Sequence, residues 1–378
     1  MTIFNKKRAN LELWLSILRS PGIGAKKFWH LYAKDPLFRD VRTIDVKDEI
    51  SYHEKLKFGL CAGNDDDYPE RLHNLNDAPP IFSYAGDISL LQTPCIGIVG
   101  ARNASPGGKK LTFQIAQELG KAGFTIVSGM ARGIDGAAHE GSLETGTIAV
   151  LASGLDVLYP PEHKTLYEQL CNPQQQNIKG CIISEMPLGT APAAPLFPRR
   201  NRIIAALCDG LVVIEAAAKS GTLITAIQAI ELGRDVFVIP GSPLDPRSRG
   251  GNSLIKQGAI LVESAEDILA HYVDNKPRLR KSLEEKPTKQ HQKKIILPEI
   301  NTEESQNIKE KRSIAPLTKT SSEHEWFNCL GLDPISVEEI MAQNKQLTAQ
   351  QLFAALAHLE MDGVIIRFPD GRVAKVFK

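Results

Sequence analysis

The sequence has little excess charge and little cysteine, and both shortages narrow the functions open to it. Its 378 residues carry 45 Lys and Arg against 44 Asp and Glu, so the formal net charge is only +1. A strongly basic chain would neutralise phosphates over much of its surface, whereas this chain has to bind any anion at a local site. The six cysteines are scattered without a C-x-x-C pair. This pattern argues against a disulfide framework or a metal site and is typical of buried thiols in a reducing compartment.

Long apolar runs are also absent from the sequence. The first residues, MTIFNKKRANLELWL, have no apolar signal core and no small-residue cleavage site. No run approaches the about 20 apolar residues of a membrane-spanning helix. We therefore expect a cytoplasmic protein without membrane contact. A chain of 378 residues predicts two or three domains rather than one.

The middle of the chain alternates short apolar runs with helical patterns. The apolar runs are CIGIVG, FTIVSGM, TIAVLAS, CIISEM, GLVVIEA, DVFVIPG and AILVES. Continuous apolar strands suit a parallel sheet that is covered on both faces. Residues 86–273 are therefore predicted to form an α/β domain with a doubly wound, extended Rossmann-like sheet.

The regions on either side differ in composition. Residues 1–85 are mostly helical in pattern and predict a small helical domain. Residues 274–320 are rich in Lys, Glu, Gln and Pro, and predict a flexible linker. Residues 321–378 predict a winged helix, with helices in SVEEIMAQN and TAQQLFAALAHLEMDG and a hairpin that turns at Asp370–Gly371.

The run CIGIVGARNASPGGKKL predicts a strand that ends at Gly100, a glycine loop and a helix. Backbone amides at such a turn, together with the helix dipole, favour an anion. Arg102 is placed to clamp a phosphate with forked donors, and Ser105 adds a hydroxyl. The motif is not G-x-G-x-x-G and lacks the acidic residue that would bind a ribose, so it argues against a dinucleotide. An ordinary turn with an exposed arginine is the alternative.

The run VSGMARGIDGAAHEG predicts the second strand–loop–helix unit, with Gly129 and Gly133 allowing tight passage of the backbone. Asp135 and His139 lie one helical turn apart, and one hypothesis is that they form a metal-binding or acid–base pair. No third ligand has a fitting spacing, and no H-E-x-x-H motif is present, so we predict no metal site. We expect Asp135 to cap its helix and His139 to make a structural hydrogen bond.

The run FPRRNRIIAAL crowds Arg199, Arg200 and Arg202, with Asn201, into the start of a helix. The helix dipole disfavours cations there, so an external anion is the expected compensation, with either Arg200 or Arg202 pairing with a local carboxylate. Phe197 adds an aromatic face. An aromatic ring beside arginines is typical of a groove that stacks bases and follows a phosphate backbone. A salt-bridged surface over a buried Phe is the alternative.

A further strand–loop–helix unit contains Lys219 and the turn Ser220–Thr222, which offers amides and hydroxyls to an anion. Because the carboxyl ends of parallel strands meet at one edge of a sheet, these loops are expected to converge on one crevice. The predicted nucleic-acid contacts are Gly100, Arg102, Ser105, Gly133, Phe197, Arg199, Arg200, Asn201, Arg202, Lys219, Ser220, Gly221 and Thr222.

Near the N-terminus, the run ILRSPGIGAKKFWHLY places P-G-I-G between two helical segments. A helix–hairpin–helix offers the amides of its turn to a phosphate, so Gly22, Gly24, Lys26 and Lys27 form a second candidate contact. The alternative is a helical hairpin that only packs.

In order and spacing, the motifs GARNAS, VSGMARGIDGAAHEG, FPRRNRIIAAL and EAAAKSGTLITA resemble those of the DNA-processing protein A (DprA) family. The resemblance implies single-stranded DNA binding in natural transformation, loading of the RecA recombinase, and a homodimer through the Rossmann-like domain. It also implies an N-terminal sterile-alpha-motif or hairpin domain, a C-terminal winged helix, no catalysis and no cofactor. In the family the DNA pocket corresponds to Arg102 and residues 197–202. Ala101 and Cys208 depart from it, since the family usually has Ser there.

Two alternatives belong to other functional classes. The fold also resembles nucleotide phosphoribohydrolases of the lysine-decarboxylase-like group, which carry P-G-G-x-G-T-x-x-E. Here Thr225 occupies the acid position and cannot act as a carboxylate base, so phosphate binding without hydrolysis is expected. The second alternative is a transcription regulator acting through the winged helix, but its predicted recognition helix has no Arg or Lys to read bases.

Overall fold

The chain divides into two compact units, Met1–Leu297 and Pro298–Lys378. A computed structural model describes residues 3–172 and 177–274 of the first unit and, in the second, residues 340–341, 352, 356, 365–367 and 373–375.

The first unit is built from helices and from strands of a single sheet. Its helices are α1 Ile3–Arg19, α2 Ala25–Lys34, α3 Lys47–Leu56, α4 Pro106–Lys121, α5 Ile134–Ser142, α6 Lys164–Cys171, α7 Leu196–Leu207, α8 Gly221–Glu231, α9 Arg249–Lys256 and α10 Ala265–Asp274. Its strands are β1 Gly59–Ala62, β2 Ile81–Gly86, β3 Cys95–Gly100, β4 Thr125–Ser128, β5 Thr147–Val150, β6 Gly180–Ser184, β7 Gly210–Ile214, β8 Asp235–Val238 and β9 Ile260–Leu261.

The sheet has the order β1-β2-β6-β5-β4-β3-β7-β8-β9. Strands β3 to β9 pair in parallel, and β2 pairs antiparallel with β6. Each predicted apolar run forms one of these parallel strands, so the predicted doubly wound α/β fold is confirmed. The chain runs outward from β3 to β6, then crosses the sheet through α7 to β7. The order therefore reverses between β3 and β7, where such sheets form their ligand crevice.

The apolar strands are covered on both faces, as their composition predicts. In β3, Ile96 and Ile98 pack in a cluster with residues of α4, α5 and α10. On the other face, Cys95 and Val99 belong to a cluster with residues of α7, α8 and α9. Because successive strand residues point to opposite faces, this one short strand joins both layers of helices.

The first 85 residues contain more strand than their pattern predicts. Helices α1 to α3 enclose an aromatic core around Trp14, Phe28 and Phe38. Strands β1 and β2 then extend the sheet by an antiparallel pair. These two strands lie in turn-rich sequence. The pairing of β2 with β6 and of β1 with β2, rather than the local pattern, selects their conformation. The sheet thus begins before residue 86, and the four-part division of the chain stays a prediction.

The second unit contains β10 Ile365–Arg367 and β11 Val373–Lys375, which pair antiparallel as the predicted hairpin requires. The side chains of Ile340, Leu352, Leu356 and Val373 are buried. Outside the described residues lie positions 275–320 of the predicted linker 274–320, the Asp370–Gly371 turn and most of the two predicted helices.

Candidate nucleic-acid interface

A cavity of about 590 Å³ opens at the carboxyl ends of β3 and β7, where the strand order reverses. The loops after β3, β4 and β7 and the first turns of α7 line it, so the predicted convergence of loops on one crevice is confirmed. The predicted contacts that it brings together are Gly100, Arg102, Phe197, Arg200, Asn201, Lys219, Ser220, Gly221 and Thr222.

One exposed cation of the cavity is stacked on an aromatic ring. Arg102 is exposed, and its guanidinium carbon lies 4.6 Å from the ring centroid of Phe197. Tyr159 meets the same ring edge-on, with centroids 5.9 Å apart. The Arg102–Phe197 pair therefore presents phosphate donors and a stacking face side by side.

The start of α8 is held against the loop that follows β3. The Ser220 hydroxyl accepts a hydrogen bond from the Thr222 amide at 3.2 Å, and the Thr222 hydroxyl donates to the Gly100 carbonyl at 3.1 Å. Exposed Lys219 precedes this turn. The helix N-terminus and the lysine together favour an anion at this wall of the cavity.

Arg200 lines the cavity but is committed to the protein. Its Nη1 donates to the carbonyls of Gly129 and Val150, and its Nε donates to Asn201 Oδ1 at 3.1 Å. A Cβ at Gly129 would overlap the guanidinium, so the glycine makes room for it. Burial lowers the pKa of Arg200 to about 10, against the opposing charge of Asp135. Arg200 remains charged at neutral pH and supports the cavity floor.

Two of the predicted arginine contacts do not reach the cavity. Arg202 pairs with Glu185 at 2.5 Å and with Asp77 at 3.3 Å, and Arg199 pairs with Glu185 at 3.1 Å. The expected pairing of one arginine with a local carboxylate is confirmed for Arg202. Arg199 and Arg202 therefore have a counter-charge within the protein, because buried Glu185, which follows β6, supplies it. Burial raises the pKa of Glu185, and the two arginines oppose the rise.

Ser105 also lies outside the cavity lining. Its hydroxyl accepts from the Gly108 amide at 2.9 Å and so caps α4. The Ser105 amide donates to Glu215 Oε2 at 2.8 Å, and the hydroxyl donates to Glu215 Oε1. The predicted anion cradle at the start of α4 therefore already holds a carboxylate of the protein. Gly107 lies beside this cap without close contacts.

Gly133 supports the loop after β3 instead of facing the cavity. It precedes α5 with φ 79°, a left-handed conformation that glycine adopts without strain. A Cβ here would overlap the backbone carbonyls of Ala101 and Arg102. Gly133 therefore allows the two loops to approach, which fixes where Arg102 leaves the backbone.

Asp135 lines the cavity, and its expected role as a cap of its own helix is wrong. Its Oδ2 accepts from the amides of Gly129 and Ala131, at 3.1 and 3.2 Å. Because Asp135 is the second residue of α5, its carboxylate reaches back to the loop after β4. Burial raises its pKa, while the charge of Arg200 and these amides oppose the rise.

His139 makes the structural hydrogen bonds that its position predicts. Its Nε2 accepts from the Met130 amide at 3.3 Å, and its Nδ1 lies 2.7 Å from the Thr147 hydroxyl. Burial, with the positive charges of His163 and Arg200, lowers its pKa to about 3. The imidazole is therefore neutral and holds the loop that lines the cavity.

Several lining residues are not among the predicted contacts. Asn103, Ala131, Ile204 and Arg247 contribute to the cavity wall. Arg247 lies in the long loop after β8 and pairs with Asp245 at 2.8 Å. The rule that loops at strand carboxyl ends converge would have found Arg247, whereas Ile204 is indistinguishable in sequence from a core residue.

The N-terminal turn borders a second cavity of about 390 Å³. Residues 18–25 line it, together with Pro79–Ile81, Glu185–Pro187 and Arg199. Gly22 has φ 75°, and Gly24 is the N-cap of α2. Lys26 and Lys27 lie exposed in the first turn of α2, outside the cavity lining.

Two negative findings apply to the described parts of the chain. None of the helices there is both long enough and apolar enough to cross a membrane. Within the same residues, no group of three His, Cys, Asp or Glu side chains could hold a metal ion.

Fold and cavity together define a doubly wound α/β protein whose cavity, at the reversal of its sheet, is lined by exposed cations, an aromatic ring and a helix start. The model of the family DNA recombination-mediator protein A matches residues 60–273, and that of the DprA winged helix domain matches residues 310–371. The chain belongs to the DNA recombination-mediator protein A family.

Relatives with solved structures share this architecture. The DNA processing protein DprA of Streptococcus pneumoniae is 43% identical over 233 residues, which are 61% of this chain and 80% of that protein. A solved S. pneumoniae DprA structure covers 71% of this chain and 98% of its own, with a TM-score of 0.56 and 36% identity. The DprA of Helicobacter pylori, studied for its single-stranded DNA binding, covers 58% and 97%, with a TM-score of 0.52 and 30% identity.

Proposed function

We propose that the protein binds single-stranded DNA in the cavity between β3 and β7. The observation that carries the proposal is the Arg102–Phe197 pair facing the start of α8 across one cavity. A nucleotide needs a stacking face for its base and donors for its phosphate, and these elements supply both. The H. pylori relative, which is described as binding single-stranded DNA, supports the same ligand class.

A single strand fits this site better than a duplex. Stacking on Phe197 requires a base whose face is free, and bases within a duplex are already stacked on their neighbours. Among the cations that line the cavity, Arg102 and Lys219 are exposed, and they lie around a recess. Because the net charge of the chain is only +1, such a local site has to supply the affinity.

The role that we propose for this binding rests on membership of the family. The relatives are named DNA processing proteins, and the family model is that of a recombination mediator. We infer that the protein acts on incoming DNA in natural transformation, in the cytoplasm, and loads RecA on the bound strand. We also infer a homodimer through the Rossmann-like domain, which would bring two cavities to one DNA.

The proposed activity is binding without chemistry. Thr225 lines the cavity where the nucleotide phosphoribohydrolases carry their acid, and it has no carboxylate. The carboxylate of Asp135 accepts two backbone hydrogen bonds and faces the Arg200 charge. We expect no free base to be released from nucleoside monophosphates, and chromatographic detection of such release would favour the enzyme instead.

The N-terminal turn is a secondary proposal. Arg199 lines the second cavity, while Phe197 and Pro198, its neighbours in α7, line the first. A strand that crosses the first turn of α7 would meet both cavities. We propose that the amides of Gly22 and Gly24 contact a further phosphate of that strand, with Lys26 and Lys27 nearby. Exchange of both lysines for Ala should then weaken binding of long oligonucleotides more than of short ones.

The test is fluorescence anisotropy with oligo-dT and with a duplex of equal length, at two or more salt concentrations. We expect tighter binding of the single strand and a log–log salt slope of about −0.7 for each phosphate neutralised. Arg102→Ala should weaken binding by about fivefold or more, since it removes one phosphate contact and the stacked cation. Arg39→Ala, at an exposed arginine in the loop after α2, is the matched control.

The proposal fails if oligo-dT binding is independent of salt or no tighter than duplex binding. It also fails if folded Arg102→Ala binds oligo-dT as tightly as the Arg39→Ala control.

A further inference from the structure

Glu215 lies in an unusual position at the end of β7. Its backbone φ is 52°, in the left-handed region that L-residues other than Asn and Asp rarely occupy. Its carboxylate crosses to the neighbouring loop and accepts hydrogen bonds from the amide and the hydroxyl of Ser105. Two specific bonds to another element thus accompany a backbone conformation that is unfavourable by itself.

The carboxylate occupies the place where this kind of strand–loop–helix unit binds phosphate. A Cβ built on Gly108 would lie 2.7 Å from the Glu215 carboxylate, so the acid sits directly against the first turn of α4. Helix N-termini bind phosphates because their first amides are unpaired and the dipole favours negative charge. At α4 the hydroxyl of Ser105 and the carboxylate of Glu215 already meet these needs.

The two helix starts at the reversal of the sheet therefore differ. The start of α8, at Ser220–Thr222, lines the open cavity. The start of α4 does not, and it carries an internal negative charge. A second phosphate entering there would have to displace a carboxylate that is hydrogen-bonded and of like charge.

We propose that Glu215 is a specificity-determining residue that closes the start of α4 to phosphate and leaves α8 as the phosphate site. A mononucleotide or dinucleotide can then bind phosphate at the start of α8 but not at the start of α4. A DNA strand also contacts the Arg102–Phe197 pair and binds through further phosphates. Closure of the start of α4 therefore weakens its binding less than that of a free nucleotide. The exclusion of free nucleotides from the DNA site rests on the proposed function, whereas the closure of α4 does not.

The test compares two substitutions of Glu215, one that removes the side chain and one that keeps its shape without the charge. Glu215→Gly removes the carboxylate and suits the positive φ, so it opens the start of α4 without new strain. Glu215→Gln keeps the shape, and its amide oxygen still accepts from Ser105, so it leaves the position filled. We expect Glu215→Gly to bind inorganic phosphate and dTMP at least tenfold more tightly than wild type in calorimetry. Glu215→Gln should remain within about threefold of wild type.

A crystal of Glu215→Gly soaked in phosphate should hold the ion at the amides of Ser105 and Gly107, since Pro106 has no N–H and the Gly108 amide donates to Ser105 Oγ. If the folded Gly variant binds phosphate no better than wild type, Glu215 does not close the site. Should that variant fail to fold, Glu215→Asn replaces it, because Asn tolerates the left-handed conformation and is too short to fill the cradle; unchanged phosphate affinity then overturns the proposal. Wild-type binding to oligo-dT, measured alongside, separates this outcome from failure of the proposed DNA binding.

Discussion

Acidification should destabilise the loop that lines the cavity, through His139. The Met130 amide donates to His139 Nε2, so the ring proton must lie on Nδ1, which donates to the Thr147 hydroxyl 2.7 Å away. Thr147 in turn donates to the Ile126 carbonyl at 3.1 Å. Only the neutral imidazole satisfies this chain of hydrogen bonds, because a proton on Nε2 would face the Met130 N–H.

The size and sign of the effect follow from the pKa of His139. Burial, with the charges of His163 and Arg200, lowers that pKa from 6.5 to about 3. A group whose folded-state pKa is lowered contributes stability above its unfolded pKa and loses it as the pH falls. Each pH unit below 6.5 costs about 1.4 kcal/mol. The folded state should therefore lose about 2 kcal/mol at pH 5 through this residue.

The assay is urea unfolding at pH 7 and pH 5, followed by circular dichroism, for wild type and His139→Gln. A glutamine can accept from the Met130 amide and donate to the Thr147 hydroxyl but does not titrate. Between pH 7 and pH 5, His139→Gln should therefore lose about 2 kcal/mol less stability than wild type. The comparison cancels Asp135 and Glu185, whose raised pKa values act in the opposite direction. Exposed His30→Gln is the control. Equal losses for wild type and His139→Gln would refute the reasoning.

Two further predictions concern groups that hold the cavity in place. Glu185→Ala should lower the free energy of unfolding by about 3 kcal/mol, because buried Arg202 then keeps only Asp77 as a partner and Arg199 loses its carboxylate. Urea unfolding measures this, and Glu168→Ala, in an exposed ion pair, should cost far less; similar losses would contradict the assigned role. Gly129→Ala should cost about 1–3 kcal/mol and weaken oligo-dT binding, because its Cβ overlaps the Arg200 guanidinium. Gly107→Ala, in α4, would meet only Ser105 Oγ at 3.8 Å, an ordinary contact, and should be tolerated in thermal unfolding and anisotropy. Equal behaviour of the two variants would show that Gly129 makes no special room for Arg200.

The sequence predicted the local elements of the Rossmann-like sheet because each carries its own signal. Continuous apolar runs mark strands that are buried on both faces, and Ser105 and Ser220 mark helix starts. Strands β1 and β2 were not predicted, because their apolar runs are short and are surrounded by turn residues. Their conformation depends on the pairing of β2 with β6 and of β1 with β2, which are contacts between distant residues that local patterns do not record.

The sequence by itself determined which residue types are available to contact a nucleotide. It also determined that the loops carrying them lie at one edge of a parallel sheet. It did not determine which arginines face the cavity. The sequence does not distinguish the roles of Arg199, Arg200 and Arg202. In the structure, Arg199 and Arg202 pair with Glu185, whereas Arg200 donates hydrogen bonds to the carbonyls of residues 129 and 150. The direction of each side chain, and the carboxylate that fills the start of α4, are fixed by partners far away in the chain. Only the tertiary structure decides them, because burial makes an unpaired charge too costly to leave without a partner.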